Sequence, residues 1–173
     1  MPEPDLLRGY PDALRADVRG LVARGELGAY LAARYPRRHE VQSDKALYAY
    51  AVALKNEHLK TAPPLDRVVY DAKLDVVHRA LGLHTARSRV HGDKLRATRE
   101  IRVASLFKWL APELLEMIVV HELAHLRHRE HDKPFYQLCE HMLPSYHQRE
   151  LDLRLHLVLS ASERGGPAPT PHR

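Results

Sequence analysis

Pro112-Glu113-Leu114-Leu115-Glu116-Met117-Ile118-Val119-Val120-His121-Glu122-Leu123-Ala124-His125 is the stretch on which the reading of this chain turns. Pro112 suits a first helical position, and Glu113 and Glu116 suit the positive end of a helix dipole. The pattern predicts a helix from Pro112 to about Arg129. Ile118, Val119, Val120, Leu123 and Ala124 surround the charged motif with apolar side chains, so the helix is expected to be buried. Histidines inside such a helix need polar partners.

The spacing His121-Glu122-Leu123-Ala124-His125 supplies a reason for them. Residues four apart share a helix face about one turn apart, so both imidazoles can reach one ion. Glu122 lies about 100° round from His121 and about 60° from His125. Its carboxylate can lean toward a metal-bound water without ligating the metal. Zinc accepts neutral imidazole nitrogen at about 2.0–2.1 Å and has no geometric demand of its own. It acidifies bound water and polarises a substrate oxygen, and Glu122 is the candidate general base. One Zn²⁺ ion is the expected cofactor.

A third ligand is required. His128 continues the helical face but lies about 10 Å along the axis from His121, too far for three ligands on one straight helix to close on one ion. The chain must turn back. His131, just before Asp132-Lys133-Pro134, can reach the site if the helix ends near Arg129. Glu140, His141, His147 and Glu150 on the following helices compete with it. Tyr136, Tyr146 and His147 are candidates to stabilise a transition state by donating a hydrogen bond.

Outward from the motif, apolar periodicity predicts helices over Pro11–Arg24, Leu27–Tyr35 and about Asp44–Leu59, with Ser43 or Asp44 as a cap. Thr61-Ala62-Pro63-Pro64 breaks the chain. Arg67–Tyr70, Thr85–Val90 and Glu100–Ser105 are strand-like, with a turn signal at His91-Gly92-Asp93. Pro134 opens a further helix that Pro144 ends, and Leu151–Leu159 is a last one. The expected organisation is an N-terminal helical segment (1–60), a metallohydrolase domain (61–159) and a disordered tail (160–173). Helices, a small sheet and more helices make an α+β fold.

The 173 residues suit one domain, and the 45% hydrophobic content is ordinary for a globular protein. The single cysteine, Cys139, excludes an internal disulfide and fits a cytoplasmic location. No signal-peptide pattern is present at Met1–Asp5, and no apolar run approaches the ~18 residues of a membrane span. The net charge of +5 is matched by a local excess between Arg87 and Lys108, where seven basic residues face two acidic ones. That strip, with Arg89, Arg99 and Arg102 as candidate substrate-strand residues, could attract phosphate or nucleic acid.

The pattern HExxHxxxxxH, followed by Asp132, Pro134, Phe135 and Tyr136, resembles the YgjP-like metallopeptidases, relatives of the Wss and SprT proteases. Gly9-Tyr10-Pro11, Asp44-Lys45-Ala46-Leu47-Tyr48, Gly82-Leu83-His84-Thr85, Ser88-Arg89-Val90, Glu100–Ala104 and Val119–Met142 carry the likeness. The resemblance implies a zincin-like fold with a small mixed or antiparallel sheet beside the HExxH helix, and an edge hairpin over Ser88–Ser105 that holds extended peptide. It carries the third ligand onto His131. It implies a peptidase first, and secondly a UTP pyrophosphatase, because the group also bears that assignment. A third reading, a DNA-associated module with structural zinc, would require a fourth protein ligand.

Overall fold

The structure is a computed structural model that describes residues 5–76 and 99–165. The expected strand Thr85–Val90, its turn at His91-Gly92-Asp93 and Arg89 lie outside the described residues. The described residues fall into two compact units, one within residues 37–149 and the other of residues 5–36 with 150–165.

The larger unit holds the helix α3 (Asp44–His58), the strands β1 (Arg67–Asp71) and β2 (Glu100–Ala104), a 3-10 turn (Ser105–Lys108), and the helices α4 (Pro112–Ala124) and α5 (Lys133–Met142). Ser43 caps α3, its Oγ accepting from the Ala46 N–H at 3.1 Å. The buried face of α3, Leu47 and Ala51, packs against β1. β2 packs against α4, and α4 against α5. The fold is α+β, as the order of elements suggests.

The two strands pair in parallel, Arg67 opposite Glu100 through Asp71 opposite Ala104. Among the described residues the sheet is thus parallel, not the antiparallel form that the resemblance allowed beside a mixed one. The partner of β2 among the described residues is β1, and parallel pairing needs a long crossover. Residues 72–99 provide the length for one. Consecutive Val68 and Val69 point to opposite faces, yet both are buried. A strand covered on both faces is the signature of parallel pairing, and Arg67-Val68-Val69-Tyr70 carries it. Tyr70 ties β1 to the start of α3 and the chain before it: its N–H donates to Asp44 Oδ1 at 2.8 Å, and its hydroxyl to the Val41 carbonyl at 2.7 Å.

The smaller unit contains α1 (Asp12–Ala23), α2 (Leu27–Arg34) and most of α6 (Tyr146–Arg164). Gly25, at φ +67°, ends α1. Its N–H bonds to the Val22 carbonyl at 3.0 Å, and that of Glu26 to the Leu21 carbonyl at 2.8 Å. This is the Schellman arrangement, which needs a left-handed residue where glycine stands. Leu7, Val18, Leu27, Leu31 and Leu155 form the unit's apolar centre. Beside it, fully buried Asp152 accepts from Arg34 Nε at 2.8 Å and from the Tyr35 hydroxyl. α6 runs to Arg164, past the Leu159 end expected from the sequence. The Ser160 and Ser162 hydroxyls bond back to the His156 and Leu159 carbonyls, so these serines are accommodated in the last turns. Residues 166–173 lie outside the described residues.

No described helix is long and apolar enough to cross a membrane. Cys139 is fully buried in α5, whereas Trp109, after the 3-10 turn, is exposed.

Burial and the nearby Asp152 carboxylate raise the Tyr35 phenol to about 12. Burial, with Asp44 adding to it, raises Tyr70 to about 12. Each is raised above its unfolded value of 10.0. The stability they contribute is therefore complete below pH 10 and is lost as the pH rises toward 12. Urea unfolding across this window should show a steeper loss for the native chain than for the Tyr35→Phe, Tyr70→Phe double variant.

Candidate metal centre

α4 has the composition of a buried rod. Leu114, Leu115, Met117, Ile118, Val119, Val120, Leu123 and Ala124 are all buried, and His121 is buried with them at 1% exposure. A helix apolar on every side lies inside a protein rather than on it. Pro112 occupies the first turn with Glu113, as the sequence suggests.

The helix ends at Ala124, earlier than the Arg129 expected from periodicity, with His125 at the C-cap. The chain tightens there: the Leu126 N–H bonds to the Leu123 carbonyl at 3.0 Å and the Arg127 N–H to the Ala124 carbonyl at 3.1 Å. These i to i−3 bonds are the usual tight finish of a helix. Five residues on, Asp132 caps α5, accepting from the Phe135 N–H at 3.1 Å. Between the early stop and this new start, the chain folds back and brings His131 to the motif.

The Nε2 atoms of His121, His125 and His131 form a near-equilateral triangle, with sides of 3.2, 3.1 and 3.1 Å. An ion about 2.0–2.1 Å from each nitrogen would subtend N–metal–N angles of about 100°, close to tetrahedral. The donor set also suits zinc. The His128 carbonyl can only accept, so at 2.9 Å it fixes the proton of His125 on Nδ1 and leaves Nε2 bare. Behind His121, Nδ1 lies 2.7 Å from the hydroxyl of fully buried Tyr146. Burial, helped by His125 and His131, holds His121 well below the ordinary imidazole range. Burial and His125 lower His131 too. Both rings are thus neutral near pH 7, the form that ligates metals. Among the described residues, these three histidines are the one group of three or more ligating side chains close enough to share an ion.

Phe135 forms the apolar wall of the cluster. It is fully buried, with its ring centre 4.9, 4.6 and 5.0 Å from those of His121, His125 and His131. Sequence reasoning did not assign it this place. The signal available was its position three residues after a capping aspartate, which turns its side chain inward on the first turn of α5. The part played by His128 was also missed, because it acts through its carbonyl rather than its imidazole.

The other candidates disperse. Glu140 pairs with His147 at 3.0 Å, His141 is exposed, and Glu150 pairs with Arg154 in the smaller unit. Tyr136 lies near His131, at 6.4 Å between ring centres, and near His147 at 5.7 Å, both pairs tilted. Glu122 lines a small, partly open cleft with Leu74, Val76, Arg102, Ala104, Phe107 and Ile118. Arg102, from the basic strip, is held at the cleft by two carboxylates: Nη1 donates to Asp71 at 3.0 Å and Nε meets Glu100 at 2.7 Å. At Arg99 the backbone N–H donates to Asp66 Oδ2 at 2.9 Å.

His131→Ala should weaken zinc binding by more than the 10- to 100-fold typical of an outer-shell partner, measured by competition with a chromophoric chelator. Phe135→Ala should cost about 3–5 kcal/mol of stability in urea unfolding of the metal-free protein, as for a buried aromatic truncated to alanine.

Residues 34–156 match the model of the YgjP-like, metallopeptidase domain family. The chain is 55% identical over 152 residues to the UTP pyrophosphatase of Escherichia coli (strain K12), covering 88% of this chain and 91% of that protein. No solved structure matches the chain. The matched segment runs from the last residue of α2 well into α6 and includes the whole histidine cluster, and on that match the chain belongs to the YgjP-like family.

Proposed function

We propose that the protein is a zinc-dependent hydrolase that splits a nucleoside triphosphate, UTP foremost, into the monophosphate and pyrophosphate. The metal part of this reading is carried by the 3.1–3.2 Å triangle of Nε2 atoms, which fits one small cation. Its substrate is supported by the name of the 55% identical relative, which aligns over most of both chains.

His121, His125 and His131 would hold the ion. Three protein ligands leave a coordination position open, as in catalytic rather than structural zinc sites. When bound, zinc supplies a Lewis acid and lowers the pKa of water toward ~7. Glu122 is the general base. It takes a proton from the attacking water as the water oxygen bonds to the α-phosphorus. The bond from that phosphorus to the α–β bridging oxygen breaks, and pyrophosphate departs with the bridging oxygen. Arg102, on the cleft wall, is placed to bind phosphate oxygens; a planar guanidinium suits them. To do so it would exchange its hydrogen bond to Asp71 and its ion pair with Glu100 for bonds to the substrate.

A peptidase is the second reading, favoured by the description of the matching family. The same water and base would then attack an amide carbonyl. Parallel assays of UTP and of an unfolded protein such as casein separate the two. Glu122→Gln should retain zinc and lose about 10²–10⁴-fold in turnover of the true substrate. Turnover of casein but not UTP by the zinc-loaded wild type would replace the first reading with the second. Undiminished turnover by Glu122→Gln would remove this residue from the chemistry.

A further inference from the structure

We infer that Tyr146 is a positioning residue for the metal: its hydroxyl fixes the His121 ring with Nε2 turned toward His125 and His131. The inference rests on the metal reading of the histidine cluster.

Two of the three ligands have a partner on the ring nitrogen that faces away from the cluster. For His125 it is the carbonyl of His128, at 2.9 Å. For His121 it is the Tyr146 hydroxyl, at 2.7 Å. The two partners differ in what they allow. A carbonyl only accepts, so His125 keeps its proton on Nδ1 at all times. A phenol both donates and accepts. When its proton is on Nδ1, His121 donates to Tyr146 and presents a bare Nε2 to an ion. When its proton is on Nε2, Tyr146 donates to Nδ1, and the Nε2–H faces the bare Nε2 of His125 at 3.2 Å. His121 thus stays neutral and hydrogen-bonded with or without metal, although it is almost wholly removed from water.

This geometry sets Tyr146 apart from the role of transition-state stabiliser. Its hydroxyl addresses Nδ1, on the side of the ring away from Nε2, and its ring is fully buried, tilted only 16° from that of His121 with centres 6.4 Å apart. The sequence supports the placement. Leu143-Pro144-Ser145 ends α5, and Tyr146 opens α6, so the side chain is anchored at a helix start rather than on a loop.

The test compares wild type with Tyr146→Phe, which removes one oxygen and little volume. Zinc affinity is measured by chelator competition, turnover at saturating zinc, and folding of the metal-free forms by circular dichroism. The expected result is a 10- to 100-fold weaker zinc affinity, with turnover per zinc-loaded molecule within about 3-fold of wild type. Equal zinc affinity in the two proteins would overturn the inference. So would unchanged affinity with lost turnover, because Tyr146 would then touch the reacting atoms. Should the variant not fold, the ¹⁵N spectrum of zinc-loaded wild type decides. His121 must carry its proton on Nδ1, and a bare Nδ1 sinks the idea. If wild type itself binds no zinc, it is the underlying metal reading that fails.

Discussion

Three imidazoles with their Nε2 atoms 3.1–3.2 Å apart are the constraint around which the larger unit is built. Lone pairs at that separation repel unless a proton or a cation lies between them. Three rings cannot be held so by one helix, because its rise carries the third ligand away. The chain resolves this by stopping α4 inside the motif. The cost of stopping early is small, since the freed groups find partners in the tight turn after Ala124. The turn's own carbonyl, that of His128, then orients one of the ligands.

Burial and chemistry reinforce each other at this point. The apolar faces of α4 exclude water from His121, and exclusion keeps the ring neutral and ready to ligate. Phe135 closes the same space from α5. Glu122, one residue round the helix, is instead partly exposed and lines a cleft, as the proposed general base would have to be. On the proposed reading, two adjacent residues thus separate a buried ligand from an accessible base.

Much of this was legible in the sequence. The HExxH spacing placed His121 and His125 on one face, and the rise per residue removed His128 as a third imidazole ligand. The Asp132-Lys133-Pro134 start of α5 made His131 reachable. What was not legible depended on tertiary partners. No glycine or proline marks the end of α4 at Ala124, so periodicity carried the helix past it. Parallel pairing of Arg67–Asp71 with Glu100–Ala104 joins segments far apart in the chain, which local patterns do not pair. The Tyr146 contact joins residues 25 apart, and an aromatic at a helix start gives no sign of which ring it will meet.

The single cysteine and the single tryptophan divide the observable behaviour of the molecule between them. The indole of Trp109 is already in water, so its emission will change little when the chain comes apart. The thiol of Cys139 is wholly enclosed in α5, the helix that also carries Phe135. An alkylating reagent can reach it only when that helix opens. The rate of alkylation is therefore a natural clock for opening around the histidines, and anything that binds them in the folded state alone will slow it.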